Sequence, residues 1–336
     1  MVEAAADSTK QDRNKPEFSE LPMLDCIPNI DIEVTGLCNL RCPGCWGTPR
    51  MMPMTRSFDD LFAILDRLKK NGLKSVTLCG GEPTLAKGID DFIVRVHSEL
   101  NLDVYLQTNG FFLIPLLGKI GPHLHTVSLS LEGSTAQVNA FRRGPDAFAK
   151  AIGCLQYLDK NYPEINVKIG TCVFRQNIAD MPSMGEMLLR NEFGFRYPDR
   201  GVWKLYQITR FGAGRDDALL DSMLVSDSEF NAMAERVKHK FARKISITTI
   251  ATKEMGGYCI ILRPDGKVVS NGHDPEGKET VVFSDFFADV EGGIKAIIKF
   301  QNRDHVKNRL EQTYRFRWEN ETVKPPLISE RPRNVP

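Results

Sequence analysis

Three cysteines, Cys38, Cys42 and Cys45, fall within eight residues in the spacing C-x3-C-x2-C. Clustered thiolates are ligands for soft metals and iron–sulfur centres. A closed structural metal site takes four protein ligands, and this triplet supplies three. The other cysteines, Cys26, Cys79, Cys154, Cys172 and Cys259, stand singly, four of them in apolar runs where a free cysteine is an ordinary small core residue. His123 and His125 flank a strand start, and nothing in the sequence pairs them with the triplet. A structural zinc site is therefore the weaker reading. Three thiolates suit an iron–sulfur cube in which one iron has no protein ligand and is open to an exogenous chelator.

The elements that must position these thiols alternate between strand and helix. Strands are expected over 30–35, 74–80, 102–110, 125–133, 165–174 and 202–208. Helices are expected over 57–72, 88–100, 145–161 and 181–191. Ser57 with Asp60 forms a capping-box signature, and Gly72 is placed to stop that helix. Alternating units of this kind predict an α/β fold with a parallel sheet. Six units over 28–210 are too few for a closed eight-stranded barrel, so an open partial (β/α)6 barrel is expected, with its site at the C-terminal strand ends. The cysteine loop, GGEP (80–83 with its leading glycine), TNG (108–110) and EG (132–133) all follow strands and converge on that rim.

Residues 1–20 read as a disordered arm, 21–210 as the core, 211–318 as a small C-terminal α/β extension and 319–336 as an exposed tail. The extension carries a helix over 226–242 capped by Ser226 and Glu229. A hairpin turning at Pro264, Asp265 and Gly266 and a helix from 289 follow. The 336 residues hold 44 Lys plus Arg against 43 Asp plus Glu, so no global field draws the chain to nucleic acid or to a membrane surface. No apolar run approaches the roughly 18 residues that span a bilayer, and the N-terminus lacks a hydrophobic signal core; a cytoplasmic protein is expected.

The stretch TGLCNLRCPGC after one strand, with GGEP ending the next, resembles the radical S-adenosylmethionine (radical SAM) enzymes over roughly residues 28–210. The resemblance implies that Cys38, Cys42 and Cys45 hold a [4Fe–4S] cluster. The methionine end of S-adenosylmethionine (SAM) would fill the open position, and a 5′-deoxyadenosyl radical would abstract hydrogen from the substrate. It implies SAM contacts at Gly80, Gly81, Glu82 and Pro83, at Asn109 and Ser130, and at Arg143 for the carboxylate, with Arg142 as the alternative register. A side chain at Gly81 would then fill space kept for the cofactor. It also implies an electron donor such as flavodoxin or ferredoxin. Many members carry an aromatic residue before the third cysteine; here that position is Gly44, and Trp46 follows instead. The C-terminal third has only Cys259, and Ser270 stands where a second cysteine could be, so no auxiliary cluster is expected.

A second resemblance, to viperin-like radical SAM enzymes, lies in VWKLYQ (202–207), FGAGR, VSDSEF and Lys168, although Gly170 replaces an asparagine of that group. It implies a small-molecule substrate, a nucleotide, nucleoside or other sugar-bearing compound, with Lys168, Trp203 and Gln207 as substrate residues. Strand alternation puts Trp203, Leu205 and Gln207 on one face and Lys204 and Tyr206 on the other. The glycine-rich GAGR (212–215) reads as a connector. The alternatives are a peptide-modifying radical SAM enzyme and, further off, a non-catalytic metal-binding protein. The sequence singles out no residue for the steps after hydrogen abstraction.

Overall fold

Strict alternation of apolar and polar residues builds the sheet. The computed structural model describes residues 27–47, 56–190, 201–210, 218–255, 259–271 and 279–300. The expected arm and tail, Cys26 and the GAGR connector lie outside the described residues. Ten strands form one sheet: β1 (Asn29–Thr35), β2 (Ser75–Gly80), β3 (Asp103–Thr108), β4 (Thr126–Ser130), β5 (Asn166–Val173), β6 (Gly201–Gln207), β7 (Ser246–Ile250), β8 (Ile260–Leu262), β9 (Val268–Asn271) and β10 (Glu279–Phe283). Their order is β10-β9-β8-β1-β2-β3-β4-β5-β6-β7. Every neighbouring pair from β8 through β1 to β7 is parallel. The pairs β8–β9 and β9–β10 are antiparallel.

The open parallel β/α architecture expected from the sequence is therefore present, with its six strands in chain order. Beyond it, β7 adds a parallel strand outside β6 and β8 adds one outside β1, so both edges of the sheet are extended by residues beyond 210. The β8–β9 turn falls at Pro264–Gly266 as expected, with Gly266 N–H donating to Arg263 O and a left-handed φ of 87° at the glycine.

Nine helices occur among the described residues: α1 (Phe58–Lys70), α2 (Ile89–Leu100), α3 (Leu113–Ile120), α4 (Ala136–Arg143), α5 (Ala147–Asn161), α6 (Met181–Leu189), α7 (Leu220–Met223), α8 (Asp227–Lys240) and α9 (Val290–Phe300). The capping boxes at Ser57–Asp60 and Ser226–Glu229 both form. No helix of the described residues is long and apolar enough to cross a membrane.

One face of the sheet packs its aliphatic residues under the helices: Ile30, Ile32 and Val34, Val76 and Leu78, Val104 and Leu106, Val127 and Leu129 are all buried in one core. The opposite face carries Asp31, Glu33, Cys79, Gln107, Ser128, Ser130, Lys168, Gly170, Cys172, Lys204 and Tyr206. A face this polar does not pack as a core, and its Glu33, Cys79, Gln107, Ser128, Ser130, Gly170, Cys172 and Tyr206 line a cleft.

This division corrects one expected substrate residue. Trp203 belongs to the helix-side face: it is fully buried in the core, and its indole N–H donates to Thr171 Oγ1 at 2.9 Å. Trp203→Ala is expected to cost about 3–5 kcal/mol of stability, as for other buried aromatic truncations. Thermal or denaturant unfolding measures it; an unchanged midpoint would place the indole outside the core.

Candidate active site

The site begins with two backbone segments that touch. Gly81 N–H donates to Thr35 O and Glu82 N–H to Leu37 O, both at 2.6 Å. The end of β2 is thereby tied to the start of the cysteine loop. The contact is close enough to demand glycine. A Cβ on Gly80 would lie 2.3 Å from Thr35 O and one on Gly81 2.2 Å from Leu37 O. Gly80 also has a φ of 132°, which side chains rarely tolerate. The missing side chain of Gly81 makes room for the cysteine loop, and Gly81 also lines the cleft.

Glu82 extends the tie to β3. Its buried carboxylate accepts from Thr108 Oγ1 at 2.6 Å, Asn109 N–H at 2.7 Å, Thr84 N–H at 3.2 Å and the Thr84 hydroxyl. Burial raises its pKa, and these neutral donors pull the other way. Pro83 opens the 3-10 turn Pro83–Leu85 that Glu82 caps. Asn109 then returns to the loop: its Nδ2 donates to Asn39 Oδ1 at 2.7 Å and lies 4.0 Å from Cys38 Sγ.

On the other side, Glu132 follows β4 and is fully buried. Its Oε1 accepts from Arg142 Nη1 at 2.6 Å and Arg143 Nε at 2.7 Å, and its Oε2 from Cys172 N–H at 2.6 Å. Burial alone would raise its pKa, but the two guanidiniums outweigh burial and hold it below the usual range. Arg142 is committed further, through Nε to Pro43 O at 3.0 Å and Nη2 to Gly44 O at 3.3 Å. Arg143 uses Nε on Glu132 and lines the cleft. Ser130 lines it too, at the end of β4.

Cys38, Cys42 and Cys45 all line the same cleft. Burial raises the pKa of Cys38; the Leu40 N–H, donating to its sulfur at 3.4 Å, lowers it, while Glu82, Cys42 and Cys45 raise it again. Among the described residues no group of three His, Cys, Asp or Glu converges on a single ion. A zinc site would need its thiolates within about 4 Å of one another around one ion. A multinuclear cluster has its own width and takes thiolates set further apart, so an all-thiol donor set around one mouth fits it.

Further into the cleft the sequence reading is half right. Lys168 lies on the same strand face as Gly170 and Cys172, beside Ser128 on β4 and Val202 on β6; burial pushes the nearby Cys79 thiol well up, with Lys168 a small opposing charge. Gln207 lines the cleft, but at a different level from Lys168. Gln207 pairs with Val173, five residues beyond Lys168, or roughly 16 Å along the strand. Its amide is occupied: Nε2 donates to Val225 O and Asp227 Oδ1 at 3.0 Å, and Oε1 accepts from Thr252 N–H at 2.8 Å. It clamps the end of β6 to α8 and to the turn after β7. On β6 Tyr206 lines the cleft next to Gln207, and Lys204 Nζ stands 5.3 Å from the Tyr206 ring centre.

Sequence reasoning also missed Glu33 and three cysteines. Cys79, Cys172 and Cys259 line the cleft, whereas Cys154 is buried and donates to Gly110 O as a core residue does. The signal was in the alternation: Cys79 shares strand parity with Thr77, and Cys172 with Lys168 and Gly170.

Comparison with known proteins bears on this arrangement. Residues 32–188 match the family model of the radical SAM superfamily. The chain carries a radical SAM superfamily domain over these residues. It is 24% identical over 256 residues to an S-adenosylmethionine-dependent nucleotide dehydratase of Flammeovirga pacifica, covering 73% of this chain and 83% of that protein. It is 34% identical over 96 residues to a GTP 3′,8-cyclase of Helicobacter pylori, covering 26% of this chain and 29% of that protein, so the match spans under a third of the cyclase. Among solved structures, Streptococcus suis SuiB bound to S-adenosylmethionine superposes with a TM-score of 0.62 at 14% identity, over 85% of this chain and 68% of that one. That likeness is one of fold: the radical SAM partial barrel.

The Gly81 contact yields a test. Gly81→Ala must push the Leu37 backbone aside, at a cost of about 1–3 kcal/mol or more. The variant is expected to lose iron retention and SAM binding together. Loss of SAM binding with the iron content intact would favour the role of a cofactor cradle.

Proposed function

We propose that Cys38, Cys42 and Cys45 hold one [4Fe–4S] cluster, and that this radical SAM enzyme acts on a small anionic, sugar-bearing molecule of the nucleotide class. When bound, cluster and SAM together supply one-electron cleavage of the sulfonium and hydrogen abstraction from the substrate. Support for the cluster comes from the three thiols at one mouth, with the loop that carries them fixed from both sides. Arg143, held at Nε by Glu132, keeps further N–H donors of its guanidinium for the SAM carboxylate. Asn109 and Ser130 border the same mouth and serve the methionine and ribose parts. Glu82 acts at one remove: its carboxylate is used up in setting Thr108 and Asn109.

The observation that carries the substrate class is the cleft lining by Arg143, Tyr206 and Gln207, with Lys168 and Lys204 on the same strand face as Tyr206 at the levels before it. Cations beside an aromatic ring suit a phosphorylated or carboxylated ring compound. The likeness to a nucleotide dehydratase over most of that protein's length agrees with this reading. An external one-electron donor of the flavodoxin or ferredoxin kind completes the reaction.

Anaerobic reconstitution is expected to give about four irons per chain and SAM cleavage to 5′-deoxyadenosine with a low-potential reductant, both lost in Cys42→Ala. Zinc without iron, or near eight irons, would overturn the single-cluster assignment. A panel of nucleotides, nucleosides, sugars and peptides then tests the substrate. Lys168→Ala and Lys204→Ala should each raise KM for an anionic sugar compound on the order of 10–100-fold, the equivalent of one charge-assisted hydrogen bond. Stimulation by peptides alone, unchanged in both variants, would sink the nucleotide reading.

A further inference from the structure

The cysteine loop is gripped by one side chain as well as by backbone. Arg142 reaches it from the last turn of α4 and is nearly fully buried. Its three bonds diverge, to Pro43 O, to Gly44 O and to the Glu132 carboxylate. Pro43 and Gly44 are the two residues between Cys42 and Cys45. Gly44 has a φ of 60°, and a Cβ there would lie 3.0 Å from Leu220 Cδ1 and 3.3 Å from Ile208 Cδ1. The left-handed turn explains why an aromatic residue is missing at this position, and its carbonyl is one of the two that Arg142 takes. Glu132 is itself anchored, through Cys172 N–H on β5 and through its own N–H to Asn139 Oδ1 on α4. The guanidinium therefore cannot shift without disturbing two strands and a helix.

We propose that Arg142 is a positioning residue for the cluster loop: it fixes the turn between the second and third cysteines and places a permanent positive charge beside their sulfurs. This takes it out of the competition for the SAM carboxylate, which falls to Arg143. The inference rests on the assignment of the three cysteines as cluster ligands. A cation at this place stabilises the more negative, reduced form of the cluster, so its loss makes reduction harder.

Two measurements test this on the full chain. The first uses protein without iron. Arg41 is exposed and immediately precedes Cys42, so trypsin reads the mobility of the loop directly. Arg142→Gln should be cut after Arg41 at least several-fold faster than wild type, and Arg142→Lys at an intermediate rate. Equal rates in all three proteins would overturn the positioning role. The second uses reconstituted protein without SAM and follows the cluster by electron paramagnetic resonance in a redox titration. In Arg142→Gln the ratio of reduced to oxidised cluster at a fixed potential should fall about tenfold, equivalent to about 59 mV for a one-electron couple. Arg142→Lys, which keeps the charge but not the fork, should restore the potential while releasing iron to a chelator faster than wild type. An unchanged potential in Arg142→Gln would overturn the charge role. If that variant takes up no iron, Arg142→Lys decides: iron release at the wild-type rate overturns the proposal. Wild-type protein that never takes up iron would instead mark failure of the cluster assignment, leaving the proteolysis result to stand on its own.

Discussion

The rest of the site depends on the approach of two backbones, Thr35–Leu37 against Gly80–Glu82. At 2.6 Å, the two N–H···O bonds between them leave no room for a Cβ on either glycine. The parallel pairing of β1 with β2 ends at Thr35 opposite Gly80. The contact thus continues the sheet ladder past the point where both strands would otherwise separate into loops. A long loop carrying three reactive thiols would be costly to order by side-chain packing alone. Continuing the ladder orders its first residues by the same hydrogen bonds that hold the sheet.

Two buried carboxylates complete the framework, and their surroundings set their charge in opposite directions. Glu82 is met by neutral donors, so burial dominates and its pKa rises. Glu132 is met by two guanidiniums, and its pKa falls. The first joins β2 to β3 and, through Asn109, to the loop beside Cys38. The second joins β4 to β5 and, through Arg142, to the loop beside Cys42 and Cys45. The loop is held between them at both ends. A buried ion pair broken by removing one partner leaves an uncompensated charge, so the Glu132 side is the more sensitive of the two anchors to substitution.

Much of this was legible in the sequence, for physical reasons. The cysteine spacing and the strands before the loops are local patterns, and the site sits at strand ends because parallel β/α units put it there. The six core strands and the capping boxes at Ser57 and Ser226 were equally local. The added parallel strands β7 and β8 were less visible, because which edge a short strand joins depends on contacts far along the chain. α3 and α4, with eight residues each, are too short for a clear helical period, and α3 contains Pro115. That Gly81 also meets the Leu37 backbone was not legible, because a sequence shows that a close approach is needed and does not say what approaches. Sequence could pair an arginine with a carboxylate only by register; that Arg142 holds the loop while Arg143 keeps donors toward the cleft follows from how the last turn of α4 meets Glu132.

The choice of strand face decided the substrate residues. A strand exposes alternate residues to opposite sides, and of the two β6 residues taken as substrate contacts Trp203 lies in the helix-side core. Gln207, at the strand end, borders the cleft beside Tyr206 and is held there as a three-way clamp. Strand parity brings Cys79 and Cys172 into the cleft wall. Burial comes first among the causes that raise both thiols, Cys172 to about 11 and Cys79 well above its ordinary value. At neutral pH these cysteines therefore remain uncharged. The acidic and basic residues that line this cleft are Arg142 and Arg143 with Glu33, Glu82 and Glu132. Groups of both signs on one concave face orient a bound molecule by its own charge distribution.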